Sequence, residues 1–250
     1  MSERVDCLVV GTGPVGMVAA CALAQKGLTV GLAGPEAIPE RDGRTVAILD
    51  SGVKLLETLG LWGNARDVSA PLIEMRIIDD TGSLFRAPPV TFRASELGLD
   101  AFGQNIELTD LVAQLARGLK SQTNLKQWPE AVAKFKRGSN GVIEAELASE
   151  ATIECGMLIG ADGRNSKVRE FAGIQTKDWH YPQTALTAIF SHERDHDDRS
   201  TEFHTRSGAF TLVPLKGRRS SLVWMKAPNE AERLAKRSHE DFARVVEKQA

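Results

Sequence analysis

The run Cys7-Leu8-Val9-Val10-Gly11-Thr12-Gly13-Pro14-Val15-Gly16 passes within one short stretch from an apolar segment to a cluster of glycines. Cys7 to Val10 has the look of a buried strand, and Val15 to Gln25 is rich in small residues and reads as a helix. Gly27 stands where a left-handed C-terminal cap belongs, and Leu28 to Ala33 is a second apolar run. Strand, helix, strand with so short a connection predicts a right-handed parallel crossover. Gly11, Gly13 and Gly16 then fit the GxGxxG pattern between the strand and the helix. The first glycine permits the tight turn, the second admits a pyrophosphate close to the backbone, and the third lets helix and strand pack tightly. The pyrophosphate would rest on the positive end of that helix. Glycines by themselves also mark plain turns; the flanking strand and helix are the context that makes this a dinucleotide fingerprint. No Gly-Lys-Ser/Thr follows, which excludes a P-loop.

The same fingerprint predicts a carboxylate about 20 residues on, at the end of the second strand, for the ribose hydroxyls. That strand ends in Ala33-Gly34-Pro35, and the nearest acid is Glu36. Either Glu36 reaches back, or backbone and water hold the ribose.

Composition narrows the field of functions. The 250 residues are 42% hydrophobic and 26% charged, with a net charge of -2, close to the average for a globular protein with a sizeable core. No basic field is available for nucleic acid and no polybasic run for an anionic membrane. Cys7, Cys21 and Cys155 are scattered, without a CxxC pair, so neither a disulfide framework nor a zinc site is expected. No signal peptide and no apolar stretch of spanning length is found. These features predict a cytoplasmic protein.

Farther along, Thr45 to Leu59 reads as a helix ended by Gly60. Met75 to Ile78 and Leu84 to Phe85 read as the arms of a hairpin around Asp79-Asp80-Thr81-Gly82. Leu111, Val112, Leu115, Ala116 and Leu119 form a helical stripe behind Thr109 as N-cap. Ala131 to Lys136 and Val142 to Leu147 flank Gly138-Ser139-Asn140-Gly141, another hairpin, and Met157 to Ile159 is a buried strand. Beyond Gly173 the pattern changes to antiparallel strands at Thr184 to Ser191, Ala209 to Leu215 and Ser220 to Met225. Ser238 opens a last helix carrying Phe242, Val245 and Val246.

Gly160-Ala161-Asp162-Gly163-Arg164-Asn165-Ser166 is, on its plainest reading, a strand-to-helix turn in which Asp or Asn caps the next helix. It also resembles the DG fingerprint of flavoprotein aromatic hydroxylases. Asp42-Gly43-Arg44-Thr45-Val46-Ala47-Ile48 resembles their DxRxxAL segment, so three motifs stand in the family's order. The stretch Trp179-His180-Tyr181-Pro182-Gln183-Thr184-Ala185, with Ser191-His192-Glu193-Arg194, Val213-Pro214-Leu215 and Ser220-Ser221-Leu222-Val223-Trp224, is similar to the UbiH/VisC branch of ubiquinone-biosynthesis hydroxylases. Leu108 departs from the branch, which usually has asparagine there.

The resemblance implies an α/β fold, a Rossmann-type FAD-binding domain with an inserted antiparallel-sheet substrate domain as in para-hydroxybenzoate hydroxylase. The FAD domain would take residues 1–70 and 104–175, and the substrate domain 71–103 and 176–250. It further implies FAD as cofactor, NAD(P)H as hydride donor, and transfer of one atom of O2 to the ring of a polyprenyl phenol. Gly11, Gly13, Pro14 and Gly16 would hold the pyrophosphate, with Asp162 near it and Glu36 at the ribose. Arg44 would lie by the flavin, Gln104 by the ribityl chain, and the backbone around Val132 by the adenine. Leu212 and Pro214, on one face of a strand with Phe210, would border the substrate. A greasy substrate implies peripheral contact with a membrane surface or a biosynthetic partner. No catalytic side chain is singled out, because the difficult chemistry belongs to the cofactor. The family's third fingerprint would fall beyond residue 250, which implies that the chain is cut off before its C-terminal third. Two rival readings are a reductase or halogenase on the same scaffold, though the halogenase WxWxIP segment is absent, and a non-catalytic interaction subunit.

His192-Glu193-Arg194-Asp195-His196 matches HExxH, whose histidines bind zinc only from one face of a helix. The preceding residues read as strand and the following Asp197-Asp198-Arg199-Ser200 as turn, so no metal is expected here.

Overall fold

A computed structural model describes residues 3–36, 43–138 and 141–250. Asp42 of the DxRxxAL segment and Ser139-Asn140 of the expected hairpin turn lie outside the described residues. In chain order the elements are β1 (Glu3–Val10), α1 (Pro14–Gln25), β2 (Val30–Ala33), β3 (Thr45–Leu49), α2 (Asp50–Thr58), α3 (Ala65–Val68), β4 (Ala70–Pro71), β5 (Glu74–Asp80) and β6 (Val90–Arg93). A 3-10 turn (Ala94–Leu97) leads to β7 (Gly103–Glu107), α4 (Leu108–Leu119), β8 (Leu125–Trp128), β9 (Val132–Arg137), β10 (Ile143–Leu147), β11 (Thr152–Gly160) and α5 (Lys167–Phe171). Then come β12 (Thr184–Ser191), β13 (Arg199–Thr205), β14 (Gly208–Leu215), β15 (Arg219–Lys226), α6 (Pro228–Ala235) and α7 (His239–Gln249).

Two compact units divide the chain: Met1–Glu40, Lys54–Asn64 and Thr109–Asp178 form one, and Arg41–Val53, Ala65–Leu108 and Trp179–Ala250 the other. The first unit is built on a sheet of order β8-β2-β1-β11-β10-β9. Its half from β8 to β11 is parallel, and β10 and β9 add antiparallel strands. Leu8 and Val9 of β1 are wholly buried, as expected of a parallel strand covered on both faces. The buried face of α1 consists of Gly16, Met17, Ala20, Cys21 and Ala24. Such small side chains let the helix axis lie close to the sheet. Gly27, at φ +85, ends α1 in the left-handed conformation that its position predicts.

The second unit holds a sheet of order β12-β15-β14-β13-β5-β6, antiparallel throughout except where β13 runs parallel to β5. One face packs Phe210, Leu222 and Trp224 against Leu234 of α6 and Val246 of α7. Phe210 and Trp224 meet edge to face with ring centroids 5.0 Å apart, the geometry favoured by the aromatic quadrupole. A smaller sheet of order β3-β7-β4 is tied to β14 and β15 by polar contacts. Asn105 Nδ2 donates to the Pro214 carbonyl at 2.8 Å, Thr45 Oγ1 donates to Ser221 Oγ at 2.9 Å, and Arg219 pairs with Glu107 at 2.7 Å. The chain thus forms the expected α/β class.

Several local expectations are corrected. Thr45 to Leu49 is not the start of a helix but a strand, because Val46 and Ile48 pair with Ile106 and Gln104 of β7. The helical pattern begins only at Asp50. Leu84 and Phe85 are not a hairpin arm; β5 pairs with Val90 to Arg93, and the two apolar residues stand in the connecting loop. Residues 199–205, partly read as turn, form β13 between β14 and β5. α4 begins at Leu108, one residue before the expected cap. By their contacts residues 43–53, 65–70 and 104–108 group with the second unit, since β3 and β4 both pair with β7.

Candidate functional site

β1 delivers the chain to Gly11, which turns it at φ +115 and donates its N–H to the Ala33 carbonyl at 2.8 Å. A Cβ at Gly11 would stand 2.1 Å from the Ala161 carbonyl oxygen, and one at Gly16 would stand 1.8 Å from the oxygen of Gly11. Both positions therefore require glycine for the fold itself. Gly13 is different. An added Cβ there would meet nothing within 4 Å, and its φ of -69 and ψ of 174 suit any residue. Gly13 is the N-cap of α1, no side chain caps the helix, and Pro14 fills its start. A helix N-terminus with no capping side chain and open space before it fits a pyrophosphate.

The second half of this cradle comes from the far end of β11. Ala161 donates its N–H to the Val10 carbonyl at 2.7 Å, so the Gly160–Gly163 turn lies directly against Gly11. Asp162 braces that turn: its carboxylate accepts from Ser166 Oγ at 2.5 Å and from the Val168 N–H at 3.2 Å. Ser166 in turn accepts from the Arg169 N–H at 3.0 Å as N-cap of α5. The N-cap of α5 is thus Ser166 and not the expected Asp or Asn, while Asp162 bonds the Val168 N–H and acts on the cradle through the backbone it holds. Thr12 and Ser166 escaped the sequence reading. Thr12 Oγ1 donates to the Pro35 carbonyl at 2.5 Å, fastening the exit of β2 to the glycine turn. Ser166 carried a signal in its position just ahead of a helix; Thr12 carried none.

Glu36 is exposed just beyond this fastening. Val132 opens β9 with its side chain buried in the core of the first unit, and its carbonyl accepts from Lys167 Nζ at 3.3 Å. The structure thus gathers Gly11, Gly13, Gly16 and Asp162 at one place in the first unit. Arg44 and Gln104 belong to the second. Arg44 is exposed at the entry to β3, with its carbonyl accepting from the Leu108 N–H at 3.0 Å. Gln104 lies on β7, where its Oε1 accepts from Ser69 Oγ at 3.0 Å; this leaves its amide N–H groups as the donor end.

Leu212 shares a strand face with Phe210, pairs with Leu222, and packs, half-buried, against the apolar cluster under α6 and α7. Pro214 on the same face is buried. The opposite face of β14 carries Thr211 and Val213.

The HExxH residues follow the end of β12 and are not helical. His192 bonds through Nδ1 to the Arg194 carbonyl at 2.6 Å and through Nε2 to Ser220 Oγ at 3.0 Å. His196 bonds through Nε2 to the Leu215 and Gly217 carbonyls at 2.9 and 2.7 Å, and its Nδ1 accepts from the Asp198 N–H at 3.0 Å. Both imidazoles are thus engaged as loop fasteners. All three cysteines are buried, and burial pushes the Cys155 thiol up to about 11, which leaves almost no thiolate near neutrality. Among the described residues no helix is long and apolar enough to cross a membrane.

Residues 4–250 match the family model of an FAD binding domain, and the chain belongs to that family. The ubiquinone hydroxylase UbiL of Rhodospirillum rubrum is 35% identical over 224 residues, covering 88% of this chain and 51% of that protein. The 3-demethoxyubiquinol 3-hydroxylase of Escherichia coli is 30% identical over 241 residues, covering 93% of this chain and 60% of its own length. The chain therefore spans between half and two thirds of the length of these curated relatives. Among solved structures, PqsL from Pseudomonas aeruginosa, described as a probable FAD-dependent monooxygenase, superposes with a TM-score of 0.79 at 20% identity, covering 98% of this chain and 66% of that one. The p-nitrophenol 4-monooxygenase PnpA of Pseudomonas putida gives 0.73 at 17% identity, covering 97% and 61%. The fold is that of this group of FAD-dependent monooxygenases, built on the para-hydroxybenzoate hydroxylase plan.

Proposed function

We propose that this chain belongs to an FAD-dependent monooxygenase that hydroxylates the ring of a polyprenyl phenol in ubiquinone biosynthesis, with NAD(P)H and O2 as co-substrates. The observation that carries the reading is the cradle at Gly13, where the fold leaves open the space that a pyrophosphate needs. The kinship with proteins named as ubiquinone hydroxylases supports the substrate class.

In this reading the first unit holds the adenine half of FAD. Gly11, Gly13, Pro14 and Gly16 present the helix N-terminus to the pyrophosphate, and Asp162 keeps the Ala161 backbone against Gly11. Glu36 meets the ribose, and the Val132 backbone borders the adenine. Arg44 lies by the flavin, and Gln104 offers its amide N–H groups to the ribityl hydroxyls with Ser69 holding its carbonyl end. Residues 1–70 and 104–175 serve the cofactor, and 71–103 and 176–250 the substrate. FAD, when bound and reduced by NAD(P)H, supplies the activation of O2, one atom of which enters the ring while the other leaves as water. The protein's own contribution is to bind, orient and keep water away.

The test is NAD(P)H oxidation by the flavin-loaded protein with and without a polyprenyl phenol, with mass spectrometry of the product formed under labelled O2. Phenol-stimulated oxidation and one labelled oxygen in the ring are expected. Oxidation indifferent to the phenol, with no label incorporated, would sink the reading.

A further inference from the structure

The loop between β5 and β6 has no part in the cradle, yet it is firmly built. Asp79 clamps both of its ends: its carboxylate accepts from the Thr81 N–H at 3.1 Å and Thr81 Oγ1 at 2.7 Å, and from the Ala87 N–H at 3.1 Å. These bonds, with that from Thr81 Oγ1 foremost, hold the carboxyl below its ordinary range. Arg206, from the β13–β14 turn, adds a bond to the Thr81 carbonyl at 2.5 Å. At the tip of this braced loop stand Leu84 and Phe85, 92% and 88% exposed.

Single exposed apolar residues are commonplace, but two large ones adjacent at a fixed tip lie in water at a real cost. The surroundings say what would cover them. Residues 81–92 contain no acid, and their one charge is Arg86, half-exposed and 3.6 Å from Asp80. At the base of the loop a groove of about 350 Å³ is lined by Ile77, Ala87, Pro88 and Val90 together with Asp79, Thr81 and His204. Apolar side chains leading and a cation just behind are the features of an element that dips into the headgroup region of a bilayer.

We propose that the 81–89 loop docks the protein on a lipid surface, Leu84 and Phe85 entering the acyl boundary and Arg86 meeting lipid phosphate. The purpose, collecting a polyprenyl phenol from the bilayer, rests on the function proposed above; the docking itself is measurable without it. A single small loop gives weak, reversible attachment rather than an anchor.

The experiment is flotation of the protein, without NAD(P)H or phenol, on vesicles of phosphatidylcholine alone and of phosphatidylcholine mixed with phosphatidylglycerol. The protein should float, and better on the mixture. The double substitution Leu84→Ser, Phe85→Ser should lower vesicle partitioning at least about tenfold, the scale of losing two buried apolar side chains. Arg86→Gln should remove the phosphatidylglycerol increment. Leu97→Ser is the control: Leu97 is 70% exposed at the opposite end of the hairpin and should change nothing. Equal flotation of the double variant overturns the proposal. So does failure of the unsubstituted protein to float, or self-association that the double variant abolishes, which would make the tip a protein contact. Flotation with no ring hydroxylation would leave the docking standing and remove the proposed function; hydroxylation of a dispersed phenol with no flotation would do the reverse.

Discussion

Gly16→Ala and Gly13→Val separate what the fold needs from what the cofactor needs. At Gly16 an added Cβ lies 1.8 Å from the Gly11 oxygen, and real Cβ atoms do not approach closer than 3.0 Å. The turn must open by about 1.2 Å, the difference of those distances, and the obstacle is backbone that cannot rotate away. Overpacking of this kind costs about 1–3 kcal/mol, with the upper end expected here. For a protein of this size that is a fall of roughly 6–12 °C in melting temperature. At Gly13 the space is open and the dihedrals are ordinary, so valine should shift stability by less than about 1 kcal/mol in either direction. Its side chain instead fills the place of a pyrophosphate oxygen. Loss of two hydrogen bonds to a charged group, at about 1.5–3 kcal/mol each, weakens FAD binding by a factor on the order of 100 to 10,000. Thermal melts of flavin-free protein and fluorescence titration with FAD give the two readouts. If Gly13→Val melts as low as Gly16→Ala, or binds FAD as the unsubstituted protein does, the division of labour is wrong.

Three further outcomes can be checked. Asp162→Ala removes the acceptor of both Ser166 Oγ and the Val168 N–H, so melts should report a loss of about 1–3 kcal/mol and titration a weaker FAD complex; Ser166→Ala should fall between. Leu212→Arg places a charge in the cluster beneath α6 and α7, so limited proteolysis should show the second unit opening, with turnover and folding lost together. Glu74 is held below the ordinary carboxylate range first by the Arg199 hydrogen bond, at 2.7 Å, and also by Arg93. Because its folded pKa lies below the unfolded value of about 4.3, its stabilisation is present above that pH and is lost as pH falls through the folded value. Glu74→Gln should therefore melt lower than the unsubstituted protein at neutral pH, with the gap closing in acid.

The β1–α1–β2 unit was legible because its signals are local: an apolar run, a glycine turn and a small-residue helix follow one another without a break. The Asp162 segment was legible as a strand-to-helix turn, whereas β8, with one apolar pair in four residues, was not. Elements set by distant partners were not. Thr45 to Leu49 abuts α2 with no punctuation, and only pairing with β7 makes it a strand. In β13 Phe203 is the one large apolar residue among Arg199 to Thr205, so no alternation marks it; its partners β14 and β5 do. The stripe of β14 that Phe210, Leu212 and Pro214 share was legible, but no sequence pattern tells which face of a sheet a later helix will cover.

The contact of Gly11 with Ala161 has a consequence for how the protein is made. Val10 and Gly160 are register partners, so the pocket closes across roughly 150 residues, a long-range pairing of the kind that slows folding. At about 5–20 residues per second a ribosome needs roughly 8–30 s to pass from one half to the other. Through that interval the nascent chain carries the glycine turn beside a strand edge that still lacks its neighbour, and such an edge invites wrong partners. Chaperone attention during synthesis should therefore concentrate on the time before β11 emerges, and free flavin can have no say in folding until it has.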